Sequence, residues 1–248
     1  MSAHWKHVWI TGASSGLGEH CARKLAADGS HVSISARSED KLAAIADGNA
    51  NISAYPCDVT DREKMREIKT QMEADHGPID LVILCAGAWF QSSLSDMKPD
   101  NFQKTLDVNL MGIVNALDTI LPGMIERGSG HISWVSSVAG YGGLPNSASY
   151  GATKAALINM AEGSYNELKR KGIDLSVINP GFVRTPMTDK NDFPMPFLME
   201  PDVAAEKMIA GLKAKKFEIA FPWQLVWILK FLNILPYWLY LPIIKKIA

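Results

Sequence analysis

An apolar, partly β-branched run at residues 7–11 passes directly into Gly12-Ala13-Ser14-Ser15-Gly16-Leu17-Gly18, and a helix-period stretch follows to about Asp28. A strand, a glycine-rich turn and a helix in immediate succession leave few folds open. Glycine suits a place where the main chain turns tightly and lies close to a bound group, and the free N–H groups of a helix start attract an anion. The spacing is GxxxGxG rather than GxGxxG. It lacks the Gly-Lys-Ser/Thr ending of an NTPase phosphate loop. Alone it could be an ordinary tight turn. Its position directly behind the first strand points to a dinucleotide pyrophosphate held by Gly12, Ser14, Ser15, Gly16, Leu17 and Gly18.

The alternation continues along the chain. Strands are expected at 31–36, 51–56, 80–85, 131–136, 174–179 and 217–221, with helices at 39–47, 61–75, 105–127, 149–171 and 223–235. The run Asp80-Leu-Val-Ile-Leu-Cys85 is apolar throughout, as in a strand buried on both faces. Such βαβ units predict an α/β domain, a parallel sheet with helices on both faces. We read one catalytic domain over residues 1–221 and a hydrophobic, aromatic segment over 222–248. The 248 residues are 47% hydrophobic, enough for a large single core. A net charge of −1 argues against a nucleic-acid partner. Cys21, Cys57 and Cys85 are far apart, and the six histidines show no ligand spacing. No disulfide framework and no metal site are expected, and a reducing cytoplasm is the natural setting. Six residues before the first strand leave no room for the apolar core of a signal peptide.

At the end of the second strand, where an acidic residue would bind the ribose hydroxyls of NAD, the sequence has Ala36-Arg37-Ser38. Arg37 follows Gly18 by nineteen residues, with no acidic residue next to it. It can pair with a 2′-phosphate, which favours NADP(H) over NAD(H), with Ser38 beside it. Otherwise it is a solvated surface arginine. Asp58-Val59 could hold and pack an adenine, although Asp58 alone could equally be a turn residue or helix cap.

Tyr150 and Lys154 share one face of an expected helix. A free phenol is a poor base at neutral pH, and a nearby ammonium favours the phenolate. Such a pair is common by chance on surfaces. Here Ser137 ends a strand thirteen residues upstream, where its hydroxyl could polarise a carbonyl oxygen while Tyr150 handles the proton.

Thr11-Gly-Ala-Ser-Ser-Gly-Leu-Gly18, Asp58, Val108-Asn109 with Gly112, Ser137, Tyr150-Gly-Ala-Thr-Lys154 and Asn179-Pro180-Gly181 occur in order across residues 6–221. Together they resemble the short-chain dehydrogenase/reductase family in its compact single-domain branch. The resemblance implies a Rossmann-type, doubly wound, seven-stranded parallel sheet, a nicotinamide cofactor and reversible carbonyl/alcohol chemistry. It gives Tyr150 as general acid/base, Lys154 as the group that lowers its pKa and holds the nicotinamide ribose, and Ser137 as the group that orients substrate. Asn109 would anchor a relay water near Lys154. Ala86-Gly87 would pass the adenosine ribose, and Pro180, Gly181, Val183 and Thr185 would contact the nicotinamide end. It further implies a homodimer or tetramer through the helices around Asn109 and Tyr150. One departure is plain: the family's Asn-Asn-Ala-Gly is here Leu84-Cys85-Ala86-Gly87. Cys85 as a nucleophile is disfavoured, since an apolar setting raises a thiol's pKa.

The loop from Met187 to Met199 is rich in Met, Phe and Pro and has no arginine to clamp an acid. With Trp89, Phe90, Leu144 and Pro145 it suits a pocket for a lipophilic small molecule, or simply a packed lid. The segment 217–248 carries Lys230, Lys245 and Lys246 against Glu218, a net of +2, which leaves −3 for the body. Lys230, Asn233, Pro236 and Pro242 interrupt its apolar run, which argues against a bilayer span. Its Trp, Tyr and Lys content suits peripheral contact with a membrane surface, while its all-round apolarity equally suits packing on the lid or a second subunit. The function expected is an NADP(H)-dependent carbonyl reductase or alcohol dehydrogenase. The alternative is a non-catalytic NADP(H)-sensing protein on the same fold. A nucleotide-sugar epimerase would need a larger substrate domain.

Overall fold

The computed structural model describes residues 3–90 and 94–245. Residues 246–248, including Lys246, lie outside the described residues. The strands are β1 (His7–Thr11), β2 (His31–Ser35), β3 (Ile52–Ala54), β4 (Leu81–Leu84), β5 (Gly130–Val135), β6 (Ile173–Pro180) and β7 (Glu218–Phe221). The helices are α1 (Gly16–Ala27), α2 (Glu39–Ala46), α3 (Arg62–His76), α4 (Pro99–Leu106), α5 (Gly112–Arg127), α6 (Ala148–Arg170), α7 (Pro201–Lys213), α8 (Trp223–Asn233) and α9 (Tyr237–Lys245). All strand pairs are parallel, in the order β3-β2-β1-β4-β5-β6-β7. This is the seven-stranded α/β sheet that the sequence predicts.

Alternation along the strands builds two cores. Val8 and Ile10 of β1, with Leu81 and Ile83 of β4, pack against Leu25 of α1, Leu42 of α2 and Met208 of α7. Trp9, Val82 and Leu84 face the other way, onto Met65 of α3, Ile120 of α5 and Leu157 of α6. Strands whose neighbours lie on both faces carry continuous apolar runs for this reason. The strand order reverses between β1 and β4. The loops leaving their C-terminal ends part there and open the crevice in which such sheets bind ligands.

Four helical features differ from the expectation. The helix expected from Thr105 begins at Pro99, so α4 is new, and a π-helical turn at Asp107–Met111 joins it to α5. α7 and α9 were not expected either. Pro99 and Pro201 stand in the first turns of α4 and α7, where proline's fixed φ and missing N–H suit a helix start. The continuous helix Pro99–Arg127 is the one among the described residues whose length and apolarity match a membrane span, but Ile113, Ala116 and Ile120 pack it onto the sheet. α8 and α9 have 11 and 9 residues, below the roughly 20 that a span needs.

Candidate active site

A cleft of about 460 Å³ opens at the crevice between β1 and β4. Gly12 sets its floor. Its φ is +67°, and a Cβ there would stand 2.6 Å from Ala86 Cα and N. Only glycine lets the β1 loop lie this close to the β4 loop. The hydroxyl of Thr11 accepts a bond from the Ala86 N–H at 3.3 Å, which ties the two loops where the family's asparagines are missing. Ser15 stands in extended backbone at the N-cap of α1 and gives no side-chain cap. The first-turn N–H groups of α1 are thus left without that partner beside Gly12, Ser14, Gly16, Leu17 and Gly18, all on the cleft wall. This donor set and the close-approach cradle fit a pyrophosphate.

Arg37, Ser38, Asp58 and Val59 form one end of the cleft. The Arg37 side chain is 77% exposed. The absence of an acidic neighbour, read from sequence, is corrected by the fold: Asp58 Oδ2 lies 4.0 Å from Arg37 Nε, because β2 and β3 are paired and end side by side. Asp58 Oδ1 accepts from the N–H and hydroxyl of Thr60, each at 2.9 Å, so it does hold a turn as well as face the cleft. Ser38 is the N-cap residue of α2 and makes no side-chain cap, leaving its hydroxyl next to Arg37.

At the other end, β5 delivers Ser137 and α6 delivers Tyr150 and Lys154, with Pro180, Gly181, Val183 and Thr185 opposite. Ser137 Oγ accepts from the Ala139 N–H at 3.1 Å and donates to the Pro180 carbonyl at 3.3 Å. Lys154 is 3% exposed and donates to the Val135 carbonyl at 2.8 Å, with its Nζ 5.3 Å from the centre of the Tyr150 ring. Ser136, also on the cleft wall, donates to the Lys154 carbonyl at 2.7 Å and holds the helix.

The expected lowering of the Tyr150 pKa is not what this geometry gives. Burial pushes the phenol up to about 12, and the neighbouring Ser137 hydroxyl opposes this only in part. Burial likewise pulls Lys154 down to about 8. The ammonium sits over the ring and donates to the Val135 carbonyl, and burial sets the direction for both groups. Cys85 is pushed up to about 11 by burial, with Lys154 opposing, which agrees with an inert thiol.

Asn109 lies in the π-helical turn and is wholly buried rather than on the cleft wall. Its Oδ1 accepts from the Ala88 N–H at 2.7 Å, and its Nδ2 donates to the Ala88 carbonyl at 3.0 Å and to Thr153 Oγ1 at 3.2 Å. The side chain is a brace between the β4 loop and α6. Ala86 and Gly87, which that loop carries, line the cleft. Of the apolar set expected around substrate, Phe90 and Met187 are on the wall. Leu144 packs instead against Leu232, Tyr240 and Ile244, and Phe193 against Phe182 at 6.0 Å between ring centres. The sequence reading missed Lys104, an exposed cation on the cleft wall, because it missed α4. It also missed Thr188, whose hydroxyl donates to the Val183 carbonyl at 2.7 Å and accepts from the Thr185 N–H, fixing the loop after β6. Among the described residues no cluster of His, Cys, Asp and Glu could hold a metal.

Known proteins share this arrangement. The family model described as short chain dehydrogenase matches residues 6–194. An uncharacterized oxidoreductase of Myxococcus xanthus is 35% identical over 236 residues, 94% of this chain and 93% of the relative. A solved short-chain dehydrogenase from Streptomyces avermitilis superposes with a TM-score of 0.82 at 25% identity, covering 91% of this chain and 92% of that one. The structure of ElxO with NADP bound superposes at 0.77 with 26% identity, covering 87% and 97%. The family model spans the sheet from β1 to β6 with the cleft between its loops, and the chain belongs to the short-chain dehydrogenase family of oxidoreductases, which bind nicotinamide cofactors.

Proposed function

We propose that the protein is an NADP(H)-preferring reductase of a lipophilic carbonyl compound, or the dehydrogenase of its alcohol. The observation that carries this is the meeting of Ser137, Tyr150 and Lys154 on the wall of the same cleft that ends at Arg37 and Ser38. Gly12, the start of α1, uncapped by Ser15, and Ser14–Gly18 would hold the pyrophosphate. Arg37, Ser38 and the start of α2 would take the 2′-phosphate, and Lys154 the nicotinamide ribose. The cofactor, when bound, supplies or accepts the hydride.

The residues of the chain manage the oxygen and its proton. The Ser137–Pro180 bond, at 3.3 Å, is long, so that hydroxyl can turn to a substrate oxygen at little cost. Tyr150, pushed up to about 12, is neutral at pH 7 and starts as a proton donor, which suits reduction. As its proton leaves, the buried ammonium of Lys154 stabilises the phenolate that remains. Oxidation of an alcohol would first require Tyr150 to lose its proton, so it should gain relative to reduction as pH rises. The relative bound to NADP supports the choice of cofactor by analogy. The test is NADPH consumption over a panel of lipophilic ketones and aldehydes. Turnover with part of the panel supports the reading. Tight NADPH binding without turnover of any compound would favour the sensing alternative.

A further inference from the structure

We propose that the outward face of α8 and α9 seats the protein on an anionic lipid bilayer, with the mouth of the cleft beside the lipid. The inner faces are anchored. Leu225 and Val226 pack on Val138 and Phe182, and Leu225 lies so close to Gly181 that a Cβ there would meet its Cδ2 at 2.8 Å. Tyr240 donates to the Gly143 carbonyl at 2.9 Å. Lys230, which interrupts the apolar sequence, turns inward to Glu218 and lies 5.1 Å from the centre of the Tyr141 ring. Glu218 also accepts from Tyr141 at 2.6 Å and from Asn179 at 2.9 Å. The pair of helices is therefore fixed to the two segments that flank the catalytic residues, 138–144 and 179–182.

The outer faces are different. Ten of the eighteen exposed large hydrophobic side chains among the described residues lie between 223 and 243. Trp223 and Trp227 are each 68% exposed, Trp238 73% and Tyr237 78%. An apolar patch concentrated in this way marks a contact surface. Tryptophan and tyrosine with a terminal lysine are the side chains that settle at headgroup depth. With Lys230 neutralised by Glu218, the remaining described charge of the two helices is the exposed Lys245. Residues 223–245 contain no Asp or Glu. A second copy meeting this face through the same face would bring no carboxylate from the two helices to either lysine, whereas acidic headgroups supply that charge. Delivery of a membrane-dissolved substrate to the cleft is the consequence, and that part alone rests on the proposed reductase activity.

The test is flotation of the full chain with phosphatidylcholine vesicles, with and without phosphatidylglycerol, beside a variant carrying Trp227→Gln, Phe231→Gln and Trp238→Gln. All three side chains are exposed, so the variant should fold and bind NADPH as the parent does. The parent should float, more with phosphatidylglycerol present, and the variant should partition at least about tenfold more weakly. A parent that stays with the soluble fraction on both vesicles would overturn the proposal, as would a variant that floats equally well. Equal flotation on phosphatidylcholine alone would overturn its charge component. A variant that converts a dimer to a monomer while the parent fails to float would assign the face to a second copy instead. Flotation needs no turnover. A floating protein that reduces nothing in the panel therefore refutes the reductase reading and leaves docking intact, and a soluble active reductase does the reverse.

Discussion

Replacing Arg37 by Asp isolates the cofactor end of the cleft. The Arg37 side chain is 77% exposed, and its charged neighbour is Asp58 at 4.0 Å. An exposed pair of this kind contributes under about 1 kcal/mol, so the fold should tolerate the change. Toward a 2′-phosphate, a charge-assisted hydrogen bond is worth about 1.5–3 kcal/mol, or roughly 10–150-fold in affinity. Exposure and screening favour the lower half of that range. The new carboxylate also repels the phosphate and offers an acceptor to the 2′-hydroxyl of NADH, so the NADPH/NADH ratio should fall by about 100-fold or more. Arg37→Ala should lose NADPH affinity without the gain for NADH. Fluorescence titration of both cofactors, at two salt concentrations, measures the ratio directly. The loss for NADPH should shrink as salt rises. A ratio unchanged in Arg37→Asp would refute the role given to this end of the cleft.

Gly12→Ala should weaken cofactor binding and lower Tm. A non-glycine residue in the left-handed region costs about 1–2 kcal/mol, and the new Cβ must also push Ala86 aside from 2.6 Å. Parental Tm and NADPH affinity in that variant would contradict the close approach. Asn109→Leu removes both bonds to Ala88 and leaves half-buried main-chain groups without that partner, at about 1 kcal/mol or more. Because Asn109 positions the loop rather than touching substrate, kcat should fall more than KM rises, and a pure KM effect would argue against the brace. His131 is 3% exposed, and burial pulls its pKa down from 6.5 to about 4, with Asp174 opposing. The unfolded chain thus binds the extra proton between those values, so stability is full above about pH 6.5 and is lost as pH falls toward 4. The bound on the effect is roughly 3 kcal/mol. Urea midpoints should fall over that window and fall less in His131→Asn; a flat profile in the parent would show that His131 does not titrate this way.

Much of the site was legible because its requirements are local. Gly12 to Gly18 follow from a turn that must be tight and a helix that must start free. Every residue named for the cofactor does line the cleft. Tyr150 and Lys154 share a face by helix period alone. What spacing does not reveal is burial. The pair was expected to titrate as an activated phenol, and the structure instead buries both groups, so desolvation sets the direction. The brace of Asn109 on Ala88 depends on a π-helical turn that no hydrophobic pattern announces. Lys230 counted as an interruption of an apolar segment; only its partner Glu218, on the neighbouring strand, explains why it sits there. For Leu144 the sequence leaves pocket and packed lid equally open, and its partners Tyr240 and Ile244 stand on a second C-terminal helix that no local pattern marks. Pro99 and Pro201 mark the starts of α4 and α7 in the sequence itself.

In the proposed reaction Tyr150 moves the proton while the hydride passes to or from the cofactor held along the cleft. Tyr150→Phe removes one oxygen and keeps the ring beneath Lys154. With a panel compound that the parent reduces, this variant should bind NADPH within a few-fold of the parent, and kcat should drop by about 100-fold or more, the share general acid catalysis supplies. NADPH oxidation at the parental rate by Tyr150→Phe would show that Tyr150 is not the proton donor.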